Sequence, residues 1–176
     1  NQGTVDANVN GGALLIGPRS GGAGVVTFDN GGTAQASNGG TLILHGANGG
    51  EFGGSGTYQA LAGSEIVMTF GAILRNTTLA TSGDGTVRAD AGNNLEWHDV
   101  TNQGSVVVDA NTDLRVHGTI ANSGTITLPM AGSPADIELG GNVMLNGSGT
   151  IEMTGAASRI NSIGDFTLTH GNNTNQ

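Results

Sequence analysis

Short apolar–polar alternations recur along the chain, and each one follows a Gly-Thr or Gly-Ser pair. In the rows that begin at Gly85, Gly104, Gly124 and Gly149, apolar residues occupy every second position. A period of two predicts β-strands with one buried face. The predicted inward residues are Val87 and Ala89, Val106 and Val108, Ile126 and Leu128, and Ile151 and Met153. No segment keeps helical apolar spacing long enough for a helix, so the pattern predicts an all-β protein.

The rows repeat at short, similar intervals, and an earlier and longer row begins at Gly56. A second strand is predicted in the second half of each row. Its inward residues are Leu95 and Trp97, Leu114 and Val116, Ile137 and Leu139, with Ile66 and Met68 matching them in the earlier row and Ile160 in the last. The longer rows predict a third strand, with Val143 and Leu145 or with Phe166 and Leu168.

An antiparallel sandwich and a solenoid both accommodate short strands at this spacing. A solenoid is favoured because each coil rests on a copy of itself, which explains why one motif recurs row after row. We therefore expect a parallel β-helix of about seven coils of roughly 19–29 residues, about 35 Å tall at a strand spacing of ~4.8 Å. We expect one domain over residues 1–176, less regular over 1–55, that is a processed form or an excerpt of a longer repetitive chain.

Glycine and asparagine supply the predicted corners. The chain has 33 Gly, and these two residue types adopt positive φ at low cost. The predicted turns are Asn10-Gly11, Asn30-Gly31, Asn38-Gly39, Asn48-Gly49 and Asn146-Gly147. Aromatic residues make up only 3% of the chain, which predicts a thin core built from Val, Ile, Leu and Met.

Charge excludes several classes of partner. The formal net charge is -9 and all five basic residues are arginines, so nucleic acids and anionic membrane surfaces would be repelled. The chain has no Cys, which rules out disulfides and thiolate metal sites. No stretch reaches the ~18 apolar residues of a membrane span. Divalent cations and neutral glycans remain as possible ligands.

Stacked coils turn sequence offsets into spatial neighbours. Glu96, Arg115 and Glu138 occupy the same outward position in successive rows, which predicts a negative–positive–negative ladder. Such pairs contribute roughly 0.2–1 kcal/mol each. The ladder therefore indicates register control and solubility rather than a binding site.

Two weaker patterns suggest metal sites. Asp109, Asn111 and Asp113 form D-x-N-x-D, whose alternate oxygens could bind calcium. The Gly and Glu that complete an EF-hand loop are missing, and an Asx-stabilised bend explains the same residues. His98 and His117 lie one row apart and could hold a metal ion with Asp99 nearby, but the sequence offers no clear third ligand.

Several rows resemble the coils of filamentous-haemagglutinin-like secreted proteins and autotransporter passengers. The resemblance covers roughly residues 40–176 and is carried by the patterns NQGSVVVDAN, NSGTITL and GSGTIEMTG and by the Gly-rich segment GANGGEFGGSGTYQALAG. It implies secretion to the bacterial cell surface and adhesion, biofilm scaffolding or fibre formation. It carries no catalytic residues to this chain.

The sequence leaves two classes of function open. The favoured interpretation is an extracellular structural or adhesive module, not an enzyme and without a required cofactor, that stacks on copies of itself or on adjacent repeats. The alternative is a polysaccharide-binding or polysaccharide-cleaving β-helix protein. The segments Asn111-Thr112-Asp113 and His117-Gly118 are faintly similar to a polygalacturonase pattern, but the paired carboxylates and basic clamp are missing. Loops around Pro18-Arg19 and Met130–Pro134 are the expected positions for binding glycans or a host surface.

Overall fold

The protein is a parallel β-solenoid, seen here in a computed structural model. The structure describes residues 1–18, 25–47, 50–90, 94–129, 133–171 and 174–175. The predicted Asn48-Gly49 turn, Arg19, and residues 130–132 of the second predicted loop lie outside those ranges. Within them there are strands and no helices.

The strands, in chain order, are β1 (Thr4–Ala7), β2 (Ala13–Ile16), β3 (Val26–Asp29), β4 (Thr33–Ala36), β5 (Thr41–His45), β6 (Gly50–Gly53), β7 (Thr57–Ala60), β8 (Glu65–Thr69), β9 (Ile73–Arg75), β10 (Thr78–Thr81), β11 (Thr86–Ala89), β12 (Asn94–His98), β13 (Thr101–Asn102), β14 (Ser105–Val108), β15 (Asp113–Asn122), β16 (Thr125–Leu128), β17 (Asp136–Asn146), β18 (Thr150–Met153), β19 (Arg159–Ser162), β20 (Leu168–His170) and β21 (Thr174–Asn175).

Each coil contributes one strand to each of three stacked faces. Coil 1 consists of β1, β2 and β3, and coils 2 to 4 repeat this order with β4–β6, β7–β9 and β10–β12. Coil 5 begins with β13, and coils 6 and 7 begin with the second halves of β15 and β17. Face A starts with β1 and continues through β4, β7, β10 and β13. Face B starts with β2 and continues through β5, β8 and β11. Face C starts with β3 and continues through β6, β9 and β12. The long strands β15 and β17 turn the corner from face C to face A, so the two faces form one continuous sheet.

Every strand pairing that the structure describes is parallel, which confirms the predicted fold class. Stacked partners lie one coil apart along the chain, from Val87 paired with Val106 to Thr4 paired with Thr33. Face B stacks eight strands in register. Residues 1–55 carry the same three faces as the rest, because β1 to β6 pair with their equivalents in the next coil.

The earlier row was assigned to the wrong face. Ile66 and Met68 pair with Val87 and Ala89 on face B, while the residue that stacks on Trp97 is Leu74. The error arose because Gly-Thr precedes strands of two different faces. A third strand is present in coils 1 to 4, not only in the longer rows.

The core is a column of alternate side chains from all three faces. The predicted inward residues of rows 85, 104 and 124 are buried, but the predicted inward Phe166 precedes β20 and is 40% exposed. The core also contains aromatics, since Trp97, Tyr58 and Phe52 are among its largest fully buried side chains. The few aromatics of this chain are therefore concentrated where they bury most area.

Residues with positive φ form the corners between faces C and A. Gly54, Asn76, Asp99 and Gly118 each follow a face C segment, and their φ angles are 98°, 51°, 54° and 68°. A left-handed residue bends the extended chain sharply and lets it enter the next face. These four corners stack on one another, whereas the corner within β17 has extra residues and the register of β15 on β17 shifts there, between Val116 and Gly118.

Candidate functional site on the charged face

A continuous group of charged side chains lies on the outward side of face C. We call this surface the charged face. It arises because alternation places every second residue of these strands outside the core. Its titratable residues are Glu51, Arg75, Glu96, His98, Asp113, Arg115, His117, Asp136, Glu138 and Arg159.

The structure places Glu96, Arg115 and Glu138 directly above one another. The Arg115 Nη1 atom lies 3.7 Å from the Glu96 carboxylate, and its Nη2 atom donates to Glu138 at 3.1 Å. All three side chains are partly exposed, so solvent screens the pairs and each contributes at most about 1 kcal/mol. The arrangement is the ladder that the sequence predicts, and its geometry fits register control.

Every arginine in the described ranges pairs with an acid of a neighbouring coil. Arg75 bonds Glu51 at 2.7 Å, and Arg159 bonds Asp136. On face B, Arg88 bridges Glu65 below and Asp109 above. These cations therefore fasten one coil to the next, and their charge is already compensated within the solenoid.

The three residues of the calcium candidate have separate structural roles. Asp109 accepts from Arg88, and this hydrogen bond is the main reason why the pKa of Arg88 lies above its ordinary value. Asn111 has a φ of 61° and turns the chain between β14 and β15. Asp113 begins β15 on the charged face. Calcium binding here stays a prediction, and any cation would compete with Arg88 for Asp109.

Asp113 is a perturbed carboxylate. It pairs with Asn94 on one side and Asp136 on the other. Burial raises the pKa of Asp113, and the nearby charges of Glu138 and Asp136 raise it further. Two stacked acids on one face repel each other, and Arg159 relieves this by binding Asp136.

The two histidines of the charged face stack on each other. The ring centroids of His98 and His117 are 4.1 Å apart and the rings are within 3° of parallel. Glu96 approaches both rings, with its Oε2 atom 2.9 Å from Nε2 of His98 and 3.9 Å from Nε2 of His117. Asp99, which the sequence suggested as the neighbour, instead turns the corner and accepts from the backbone N–H of Thr119 at 2.9 Å.

Glu96 is the residue that sequence reasoning missed as the third member of this cluster. The signal was present, since Glu96 and His98 are two apart on one strand and must share a face. Sequence analysis had placed Glu96 only in the ladder with Arg115. The carboxylate serves both, because Oε1 faces Arg115 while Oε2 faces the imidazoles.

The environment of His117 favours its neutral form. Burial lowers the pKa of His117, the neighbouring His98 lowers it further, and Glu96 opposes the shift. The Nε2 atom of His117 is buried and has no hydrogen-bond partner in the described part of the chain. Gly140 covers the ring from the next coil, and a Cβ there would lie 2.2 Å from Cε1 and 2.4 Å from Nε2. The glycine therefore leaves the imidazole its present place, and a larger residue would displace the ring.

Comparisons with known proteins give no relatives. No family model, curated protein or solved structure matches the chain. None of the residues described here belongs to a helix long and apolar enough to cross a membrane.

Proposed function

We propose that this protein is a structural module of a secreted surface fibre or adhesin stalk, in which the ends of the solenoid stack head to tail on further copies. The role is not catalytic. The observation that carries the proposal is the state of the two terminal coils. The inward residues of coil 1 are apolar and no described coil covers them, and at the other end Ile160 and Leu168 are partly exposed beside the more polar Ser162 and His170. The sequence resemblance to bacterial secreted β-helices supports an extracellular location.

At one end, coil 1 pairs on one side only. Its strands β1, β2 and β3 bond β4, β5 and β6, and no other described strand. Leu14 is 37% exposed, whereas its stacked partner Leu42 is fully buried. Phe28 is likewise half-buried above the fully buried Phe52. Unpaired edges with apolar cores are templates for another strand.

The other end offers the matching surface. Strands β19, β20 and β21 represent faces C, A and B, and each bonds a single described neighbour. Ile160 and Leu168 are partly exposed above the buried Ile137 and Val143. Strands β1 and β2 of a second copy could therefore continue the stack on β20 and β21, with both pairings parallel. The junction would rest mainly on faces A and B, where the last described strands lie furthest along the column.

The close contacts of glycines between neighbouring coils support the same arrangement. An added Cβ at Gly32 would lie 2.1 Å from the carbonyl oxygen of Gly3, and one at Gly56 would lie 2.3 Å from that of Gly32. These glycines are needed where one coil presses on the next. Gly3 begins coil 1 in the equivalent position, yet it has nothing within 4 Å. A glycine at that position is what an incoming coil requires.

The test is assembly of the purified chain, with Gly3→Ala and Leu14→Lys as end-blocking variants. Analytical ultracentrifugation and negative-stain electron microscopy, with and without calcium, should show filaments one solenoid wide for the unaltered chain. Both variants should fold but stay short, because a Cβ or a charge would enter the junction. Gln103→Ala, at an exposed corner in the middle of the stack, is the matched control and should polymerise normally.

Two results would overturn the proposal. One is a monomer at every concentration for the unaltered chain. The other is filament formation that Gly3→Ala and Leu14→Lys leave unchanged, since assembly would then use another surface. If calcium alone triggered filaments, Asp109→Asn would show whether the predicted calcium residues contribute.

Cleavage of a polysaccharide is a second candidate function, favoured by one observation. Asp113 has a raised pKa beside Asp136 and Glu138, and a general acid with a nearby carboxylate is what glycoside hydrolysis needs. Against it, Asp136 is only 4% exposed and is held by Arg159. Release of reducing ends from a panel of polysaccharides, lost in Asp113→Asn, would support hydrolysis over a purely structural role.

A further inference from the structure

The charged face brings together three side chains of the kind that bind transition metals. Glu96 and His98 project from β12 in coil 4, and His117 projects from β15 in coil 5. Their ligand atoms all lie within 4.8 Å of one another. Glu96 and His98 point to the same side because they are two residues apart on one strand. His117 joins them because the pairing of β12 with β15 places it beside His98.

We propose that Glu96, His98 and His117 bind one divalent transition-metal ion, Zn²⁺ or a similar ion, and thereby clamp coil 4 to coil 5. Two imidazole nitrogens and one carboxylate oxygen suit Zn²⁺, Co²⁺, Ni²⁺ or Cu²⁺, whereas Ca²⁺ and Mg²⁺ require oxygen ligands. The site is independent of head-to-tail assembly, because it lies on the side of the column.

The distances fit a tetrahedral ion after a small movement. Zinc ligands at about 2.0–2.1 Å from the metal are separated by about 3.4 Å from each other in tetrahedral geometry. The two distances from Glu96 Oε2 to the imidazole Nε2 atoms, 2.9 and 3.9 Å, lie on either side of this value. The parallel rings must tilt apart toward Glu96, so metal binding replaces the ring stack with two coordination bonds.

The unpaired nitrogen of His117 favours an ion over the present contacts. Its buried Nε2 has no hydrogen-bond partner among the described residues, and it lies too far from Glu96 to donate a hydrogen bond. A buried polar atom without a partner is costly. An ion between this nitrogen and the carboxylate would satisfy both groups.

Access and charge are adequate for an ion with an open position. The side chains of His98, His117 and Glu96 are 17%, 25% and 29% exposed, so the cluster lies at the surface of the column, where an ion can approach it. Glu96, Glu51 and Glu138 supply negative charge nearby, which Arg75 and Arg115 partly offset. Three protein ligands and one open position are the arrangement of zinc sites that exchange a ligand.

The experiment is titration of the chain, without an affinity tag, with Zn²⁺ and Co²⁺. Calorimetry should give one ion per chain, and the Co²⁺ complex should show the intense visible bands of tetrahedral coordination. His98→Gln and His117→Gln should each weaken binding by about 100-fold or more, since even losing a group that only orients a ligand costs 10–100-fold. His45→Gln and His170→Gln, which alter histidines on faces B and A, are the matched controls and should bind normally.

A second variant and a second measurement guard against misfolding. Gly140→Ala retains all three donors but displaces the His117 ring, so it should weaken binding while circular dichroism stays unchanged. In the unaltered chain, substoichiometric Cu²⁺ should broaden the ring NMR signals of His98 and His117 and spare those of His45 and His170. Equal broadening of all four histidines, or binding that the His117→Gln variant retains, would overturn the proposal.

Discussion

Substitution of Gly124 tests why glycine is required before the strands: because neighbouring coils are in close contact there, or because the turn needs a special backbone conformation. Gly124 precedes β16, and an added Cβ would lie 2.1 Å from the carbonyl oxygen of Gly104 and 2.6 Å from its nitrogen. An ordinary contact at about 3.4 Å therefore requires the coils to separate by about 1.3 Å. Such a separation would break the 2.9 Å hydrogen bond that Thr125 N–H donates to Gly104.

The cost of Gly124→Ala follows from these contacts. Overpacking contributes about 1–3 kcal/mol and the lost hydrogen bond about 0.5–1.5 kcal/mol. The lower entropy of the unfolded alanine chain returns about 0.4–1 kcal/mol. The net loss of unfolding free energy is about 2–3 kcal/mol, which lowers Tm by roughly 5–10 °C in a domain of this size.

Urea denaturation, followed by circular dichroism and by fluorescence of the single buried Trp97, measures this loss. Gly3→Ala is the matched control, because Gly3 also precedes a strand but has open space around its Cβ. It should be neutral or stabilising by up to about 1 kcal/mol when measured on monomer. A Tm for Gly124→Ala within about 1 °C of the unaltered chain, or equal destabilisation by both variants, would refute the reasoning.

Three further perturbations have defined expectations. Leu114→Ala should lower the unfolding free energy by about 2–5 kcal/mol in urea titrations, because Leu114 is fully buried. Leu14→Ala should lower it by only about 1 kcal/mol, because Leu14 is already 37% exposed. Equal losses would contradict the conclusion that no described coil covers coil 1. Tyr58→Phe should raise the unfolding free energy by about 1 kcal/mol in the same assay, since the buried Tyr58 hydroxyl has no partner in the described ranges, and a decrease would mean that this hydroxyl is satisfied. Asp113→Asn should stabilise at neutral pH by a few tenths of a kcal/mol. The raised pKa of Asp113 means that its charged form opposes folding. The gain should therefore be absent below pH about 4, grow as the pH rises from there through the raised pKa, and stay constant above it. A gain that does not change with pH would exclude this cause.

The strands of coils 5 to 7 could be predicted from the sequence because their Gly-Thr and Gly-Ser pairs all precede the same face. Val106 and Ile126 therefore align by inspection, as the structure confirms. The prediction failed in coil 3, where Gly56 precedes a face A strand and the alignment slipped by one face. When the same motif occurs at two corners of a coil, the face of the strand that follows it cannot be assigned until the strand pairing is known.

The strands of face A could not be predicted where their buried residues are polar. Strand β13 consists only of Thr101–Asn102, and its buried Asn102 donates to the buried Asn122 of the next coil at 2.8 Å. Asparagines that hydrogen-bond along the stack satisfy each other inside the core. Apolar periodicity cannot detect such a strand, because the inward residue looks like a turn residue.

The metal cluster could be predicted only in part. Sequence spacing brings His98 and His117 together, because they lie one coil apart. It does not reveal that the left-handed corner directs Asp99 toward the backbone of Thr119, or that Glu96 reaches both rings. Whether Glu96 or Asp99 approaches the imidazoles depends on the backbone conformation at the corner, which a pattern of residue types does not specify.

The interval between stacked partners has a consequence for how the chain folds. Every described strand meets its partner one coil away along the chain, as Thr4 meets Thr33 and Val87 meets Val106, so closing each loop costs a similar entropy wherever the loop lies. Once a first pair of coils has nucleated, each later coil is added to a finished template at nearly constant cost. Folding time should therefore grow in proportion to the number of coils, and unfolding should begin by fraying of the terminal coils.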